Sequence, residues 1–332
     1  MRVAVDKVTT AARPRAQKGK RVDAPTVSVI VALRDHGALV PKLCAGLMEA
    51  LAEMGEPFEI VLVDDGSVDE TFVQAQQLAR THHQLKAVRL RASFGEGSAF
   101  DAGLRVARGD KIVYLAGRVL TDPHGVQALL ARLAHGADLV MAWRYPRRDS
   151  RLNRVVSRLF NALVNRLANL RLHDINSGMF ATRREVLDDL PLYGDMHNFL
   201  PVLAARQGYV VAEEKVAQLP GVFRRSIYPN EYLRRLLDIV TVLFLTNYAK
   251  KPLHFLGFLG GILALVGAAI ELYLFVYRVL AIGPIAGRPL LLLGALLLVI
   301  GLQMISIGLI GEMIIFTHAR DIKEYNIAEI IE

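Results

Sequence analysis

Two long apolar runs, about Leu253–Tyr277 and Pro289–Phe316, constrain this chain more than any other feature. Each exceeds the roughly 20 residues that an α-helix needs to cross the hydrocarbon core of a bilayer. A hairpin buried in a globular core has little need of such length and apolarity, so the pair reads as two transmembrane helices joined by a short loop carrying Arg278 and Arg288. The composition agrees: 53% of the 332 residues are hydrophobic, and the excess collects after Lys251. Arg224, Arg225, Arg234, Arg235, Lys250 and Lys251 precede the first span and outnumber the basic residues of the loop. The positive-inside rule then places the large N-terminal part and the tail after Phe316 in the cytoplasm, giving a multi-pass inner-membrane protein. Glu271 and Glu312 lie within the spans, where ionisable groups usually face protein or water. The first 26 residues are basic and polar with no apolar core of signal-peptide length, and read as a flexible arm.

The soluble part alternates between two periods. Val27–Leu33, Phe58–Val63, Leu85–Leu90, Lys111–Ala116 and Ala137–Trp143 are short apolar runs of buried-strand type. Between them, residues 39–53, Asp69–His82, Gly97–Ala107 and Asp122–Leu133 have helical spacing. Strand and helix alternating with short loops predict an α/β domain with a mostly parallel sheet covered on both faces. Ligands of such sheets bind at the carboxyl ends of the strands, which here carry Asp64–Ser67 and Gly117–Thr121.

Two stretches are basic and amphipathic. Arg144–Arg171 holds eight arginines, with Val155, Leu159, Leu163 and Leu167 at helical spacing. Tyr228–Pro252 flanks an apolar stretch with Arg234, Arg235, Lys250 and Lys251. With spans close behind, both suit the surface of an anionic membrane, and the net charge of +8 has the same explanation. No nucleic-acid motif accompanies the arginines, so no nucleic-acid partner is expected. The single cysteine, Cys44, excludes an intramolecular disulfide and falls in an apolar helical pattern that predicts an inert thiol.

Asp64-Asp65-Gly66-Ser67 is the strongest local signal for chemistry. Strand-end aspartates can accept hydrogen bonds from a base and a ribose, and glycine permits a sharp turn, although Asp-Asp-Gly alone is also an ordinary turn. The blocks VSVIVALRDHGALVPKL, EIVLVDDGSVDETF, LRASFGEGSAFDAGLRVARGD, LTDPHGV and NSGMFATRREVLDDLPLYGDMHNFLPVLAARQGY, followed by GLQMISIGLIGEMI, resemble successive blocks of family-2 glycosyltransferases. The resemblance is to the polyprenyl-phosphate sugar transferase branch, and it runs from about Val27 to the C-terminal spans. It implies a GT-A fold in which a nucleotide sugar (UDP or GDP) is attacked, with inversion, by the phosphate of a membrane polyprenyl phosphate. Carried over by position, Leu33, Asp35, Asp64, Asp65, Gly66 and Ser67 would bind the nucleotide. Arg144 and Asp174 match catalytic positions, and Arg144, Ser157, Ser177, Gly178, Arg225, Ser226 and Tyr228 match the acceptor side. The family also suggests a homo-oligomer.

The family's Asp-x-Asp after the fourth strand holds Mg²⁺ or Mn²⁺ on the diphosphate. Registering on Leu120, Asp122 and Pro123 puts Gly117-Arg118-Val119 at that place, so both carboxylates are missing and no metal ligand is assigned. Asp122 remains as an expected N-cap of the following helix. Other departures are Arg34-Asp35-His36 for Tyr-Asn-Glu, Glu96 for the basic residue after Asn-Phe-Gly, and Phe180 for the basic residue after Ser-Gly-aromatic. One expectation is an active transferase in which Arg118 supplies the metal's positive charge. The alternative is an inactive homologue serving as a binding or regulatory partner in a lipid-linked glycan pathway. The domain expectations are an arm at 1–26, a GT-A domain at 27–225, interfacial helices at 226–252, a two-helix transmembrane hairpin at 253–317 and a cytoplasmic tail at 318–332.

Overall fold

Val27–Leu33 (β1) is buried at every position, as a strand covered on both faces must be. It pairs in parallel with Phe58–Asp64 (β2) on one side and with Lys111–Ala116 (β4) on the other. The computed structural model describes residues 25–117, 121–147, 157–158, 161–162, 164–166, 170–190, 194–219, 252–280, 283–284 and 289–318. Expectations for the arm, for Arg118, for most of the basic helix after Arg147, for Arg225, Ser226 and Tyr228, for the interfacial stretch and for the tail lie outside these residues.

Leu85–Arg89 (β3), Leu139–Arg144 (β5), Met179–Arg183 (β6) and Val211–Val216 (β7) complete a seven-stranded sheet of order β3-β2-β1-β4-β6-β5-β7. β6 runs antiparallel to both β4 and β5, while β5 and β7 are parallel to each other. This reversal fixes the site: the carboxyl ends of β1, β2, β4 and β5 and the amino end of β6 all lie along one edge of the sheet.

The helices are Val40–Ala52 (α1), Thr71–Thr81 (α2), Glu96–Val106 (α3), Gly125–Ala134 (α4), Arg184–Asp189 (α5) and Leu200–Arg206 (α6). α1, α2 and α4 cover one face, burying Cys44, Leu47, Leu51, Ala75, Leu129 and Leu133 against the sheet. α3, α5 and α6 cover the other with Phe100, Leu104, Val186, Leu187, Leu200 and Val202. Asp122 differs from its expected part. α4 begins three residues later, and the Asp122 carboxylate accepts the His124 N–H at 3.0 Å in the turn ahead of the helix.

Pro252–Val279 (α7) and Pro289–His318 (α8) are long and apolar enough to cross a membrane, each somewhat longer than the run read from the sequence. Their backbones touch. A Cβ on Gly301 would lie 2.5 Å from Ala264 N and from Gly260 O, and one on Gly267 would lie 2.5 Å from Leu298 N. Lipid gives helices no hydrophobic reason to associate, so close approach at small residues is what holds such a pair. Glu312 Oε2 accepts the Leu253 N–H at 3.4 Å, putting a carboxylate at the amino end of α7.

Candidate active site

The β1 and β2 ends are laced into one unit. Asp65 N–H donates to Leu33 O at 2.9 Å, Asp35 N–H to Ser67 Oγ at 3.0 Å, and Val68 N–H to Asp35 Oδ1 at 3.0 Å. Asp35 has φ +53, a conformation that aspartate tolerates better than most residues. One turn further on, His36 N–H donates to Thr71 Oγ1 at 2.8 Å and Gly37 N–H to Asp69 Oδ2 at 3.0 Å. Burial would raise the Asp69 pKa, but the bonds from the Thr71 hydroxyl and from the Gly37 and Thr71 amides outweigh it and hold the carboxyl below its ordinary value.

The two aspartates at the end of β2 do different things. Asp65 is occupied: it accepts Ser93 Oγ at 2.9 Å, Phe94 N–H at 2.7 Å and Gly95 N–H at 3.1 Å. It therefore fixes the loop that leads into α3. Asp64 is 1% exposed and receives one long bond, from Ser67 N–H at 3.3 Å on Oδ1. Its Oδ2 has no hydrogen-bond partner, and its nearest cation is Arg89 Nε at 3.7 Å. A buried carboxylate oxygen left open in this way is an acceptor awaiting a donor. Gly66 is required here, because it has φ +66 and a Cβ would sit 2.6 Å from Ala92 C and 2.7 Å from Ser93 N.

At the end of β4, Gly117 N–H donates to Ala32 O at 2.8 Å, and a Cβ on Gly117 would lie 2.9 Å from both Ala32 O and Leu33 Cδ2. The backbone here leaves no room for an aspartate. Asp122, the next carboxylate along the chain, accepts the His124 N–H through Oδ1, and among the described residues no group of three His, Cys, Asp or Glu side chains is arranged to hold a metal ion. The described residues at this register do not fit a divalent metal. Asp122 N–H donates to Ala217 O at 2.9 Å and Thr121 bridges to Gln218, so the chain that goes on to Arg225 passes beside this loop.

Across β6, the amino end of that strand brings in the second half of the site. Gly178, at φ +75, accepts Ala116 N–H through its carbonyl at 2.8 Å, and Ser177 Oγ donates to Met179 O at 3.0 Å. Asp174, 1% exposed, takes both prongs of Arg144: Nε to Oδ2 at 2.6 Å and Nη2 to Oδ1 at 3.0 Å. Arg144 Nη2 also reaches Asn176 O at 3.3 Å. Arg147 Nη1 stands 3.6 Å from Asp174 Oδ1 and donates to Ser157 Oγ at 2.8 Å. Arg144, Asp174 and Ser157 were singled out from the sequence, and the structure joins them through Arg147. Two guanidinium groups on one buried carboxylate leave a net positive charge at the edge of the sheet, the electrostatics of a phosphate site.

A family model described as Glycosyl transferase family 2 matches residues 28–191, from β1 through the end of α5. The dodecaprenyl-phosphate galacturonate synthase of Rhizobium johnstonii is 31% identical over 89% of this chain and 89% of its own length. The chain belongs to glycosyltransferase family 2. The undecaprenyl-phosphate 4-deoxy-4-formamido-L-arabinose transferase of Pseudomonas aeruginosa is 33% identical over 86% of this chain and 84% of its own. Among solved structures, the Mycobacterium tuberculosis glucosyl-3-phosphoglycerate synthase in complex with Mn²⁺ and UDP-glucose matches with TM-score 0.52. It is 20% identical and covers 67% of this chain and 79% of that one, a likeness of fold. With the family established, the α/β sheet is its GT-A-type domain, and the long apolar helices make the chain a membrane protein.

Sequence reasoning did not find Arg89 or Ser93, and it named Arg147 only as part of a basic helix. Arg89 was within reach, since it ends β3 in register with Asp64 at the end of β2. Ser93 sits in a loop whose direction depends on the bonds to Asp65, and no spacing rule reveals that.

Proposed function

We propose that this chain is a membrane glycosyltransferase that moves a sugar from a UDP- or GDP-sugar to a polyprenyl phosphate, with inversion at the anomeric carbon. The observation that carries the proposal is the buried Asp174 holding Arg144 and Arg147 at the same sheet edge as the open carboxylate oxygen of Asp64. The relatives named for polyprenyl-phosphate sugar transfer, aligned over most of their length, support the substrate classes. Asp64, with Leu33, Asp35, Gly66 and Ser67 shaping its pocket, receives the nucleoside; Asp65 acts by fixing the adjoining loop. Arg144 and Arg147 hold the acceptor phosphate beside Ser177 and Gly178, and Arg225, Ser226 and Tyr228 are further acceptor-binding residues. A phosphate oxygen attacks the anomeric carbon, and the bond from that carbon to the nucleoside diphosphate breaks. The phosphate is already anionic near neutral pH, so the step rests on orientation and charge neutralisation and needs no strong base. Arg118 supplies positive charge to the departing diphosphate where the Asp-x-Asp carboxylates are missing.

The sheet edge faces the cytoplasm, in keeping with the basic residues before α7, and the chain assembles as a homo-oligomer. Neither the described residues nor the relatives favour an inactive homologue. The test is lipid-dependent release of nucleoside diphosphate by the full-length protein in nanodiscs, using UDP- and GDP-sugars with undecaprenyl phosphate. Release that survives EDTA and disappears in Arg118→Ala is expected. Release abolished by EDTA would move the diphosphate back to a metal site. No release from any donor, beside an active relative assayed in parallel, would overturn the proposal.

A further inference from the structure

One helix face in the membrane carries a group that lipid cannot satisfy. Gly294, Gly301 and Gly308 recur every seven residues along α8 and form its contact with α7. At ~100° per residue, the line diametrically across α8 runs Leu292, Leu296, Val299, Gln303, Ser306 and Ile310. Its steps alternate four, three, four, three, four, the spacing of the seam between two packed helices. Leu292, Leu296, Val299 and Ile310 are each more than half exposed, and Gln303 and Ser306 are exposed between them.

An apolar line facing lipid is ordinary, but Gln303 is not. It lies at the midpoint of α8, and its side-chain amide has no hydrogen-bond partner among the described residues. Two donors and an acceptor left open at that depth are costly, because the hydrocarbon has nothing to offer them. Gln303 and Ser306 line a shallow groove with Val299, Leu302 and Ile307. The Ser306 hydroxyl donates back to Leu302 O at 2.9 Å, leaving a small side chain that permits close approach.

We propose that this face packs against the same face of a second copy of this chain, with the two Gln303 amides hydrogen-bonded across a two-fold axis along the membrane normal. An amide is both donor and acceptor, so it is complementary to its own image. Under the two-fold, each Gln303 gives one bond and receives one, which a carboxylate or an ammonium facing itself could not do. The seam spacing gives the neighbouring leucine and isoleucine side chains matching contacts above and below. The inference rests on α8 spanning the membrane and not on sugar transfer, so it can fail while the transferase reading stands.

The test is oxidative cross-linking of the full-length protein in native membranes with copper phenanthroline and no substrate. Cys44 is buried and burial pushes its thiol up to about 12, so it stays silent. Val299→Cys and Ser306→Cys should give disulfide-linked dimers, whereas Leu265→Cys and Leu272→Cys, on the exposed side of α7, should not. Gln303→Leu is better suited to lipid than the native residue and leaves insertion intact. Combined with Ser306→Cys, it removes both bonds of the pair and should weaken the dimer by about tenfold to several-hundredfold, twice the free energy of a single membrane hydrogen bond. Gln303→Asn should restore part of it. Cross-linking that is equal on both helices, absent from both, or directed to a different protein would overturn the proposal. So would a Gln303→Leu variant that dimerises as well as the parent.

Discussion

Asp174→Asn isolates the central electrostatic feature of the acceptor side. The native carboxylate is fully buried and balances Arg144, whose side chain is 9% exposed, and Arg147, whose side chain is 17% exposed. The variant keeps one oxygen to accept from Arg144 but loses the charge and half of the fork. Breaking one side of a buried ion pair costs about 3–5 kcal/mol, since the remaining charge stays desolvated and uncompensated. The retained oxygen places this case near 3 kcal/mol. For a domain of this size, each kcal/mol shifts Tm by roughly 2–4 °C, so a fall of about 6–12 °C is expected. Thermal unfolding of the purified protein in nanodiscs measures this directly. Titration of undecaprenyl phosphate at saturating donor gives the second readout, because a guanidinium that has lost its fork no longer holds its angle. The apparent KM for the lipid should rise while that for the donor changes little. A variant with native Tm and native lipid KM would refute the assignment of Asp174 as the group that aims both arginines.

Gly66→Ala should cost more than Gly55→Ala although both have φ +66, because only the Cβ on Gly66 meets backbone, 2.6 Å from Ala92 C; comparing the two melting temperatures and the donor affinity of each variant separates the clash from the backbone strain. Gly301→Val should force α7 and α8 apart and lower the thermal stability of the membrane part, whereas Gly261→Val, whose Cβ meets nothing within 4 Å, should change little. Burial would raise the Glu59 pKa, but bonds from Lys86, from Ser28 and from the Arg108 amide outweigh it and hold the carboxyl below its ordinary 4.5. A depressed carboxylate contributes stability that is full above the ordinary pKa and fades as pH falls through the depressed one. The stability gap between the wild type and Glu59→Gln should therefore be constant at neutral pH and narrow below about 4.5; a gap that widens in acid would reverse the argument.

β1, β2, β4 and β5 were legible because they lie inside the sheet and read as largely apolar runs, and β3, an edge strand in which Leu85 alone is fully buried, was marked by the short run Leu85–Leu90 between two helical stretches. β7 was not, and its sequence, VAEEKV, shows why. It is an edge strand whose polar side chains find local partners: Glu213 accepts the His173 N–H at 2.7 Å, and Lys215 lies over the rings of Tyr145 and of its neighbour Trp143 on β5. Polar residues that close an edge erase the hydrophobic signal of a strand. β6 was hidden for another reason. Its few residues follow the Ser177-Gly178 turn and give no hint that the strand inserts antiparallel between β4 and β5. That insertion brings Asp174 and Ser177 to the edge where Asp64 ends, so the loop motifs were readable one by one while their convergence was not.

The departures at Glu96 and Phe180 show the same gap between motif and space. In sequence they are separate losses of a basic residue. In the fold they meet: Tyr114 donates its hydroxyl to Glu96 Oε1 at 2.8 Å, and Tyr114 and Phe180 pack with ring centroids 5.2 Å apart. His197 joins them, with Nε2 3.7 Å from Glu96 Oε1 and its ring 5.8 Å from that of Tyr114. The acid has a histidine beside it, and the phenylalanine fills an aromatic cluster in which an ammonium or guanidinium would be desolvated. Restoring a lysine at position 96 alone would set it against His197 and take the acceptor from Tyr114. Restoring one at position 180 alone would bury a cation among Phe100 and Tyr114. Each reversion is unfavourable in the present surroundings, so the two departures belong to one packed cluster whose neighbours accommodate an acid at 96 and an aromatic ring at 180.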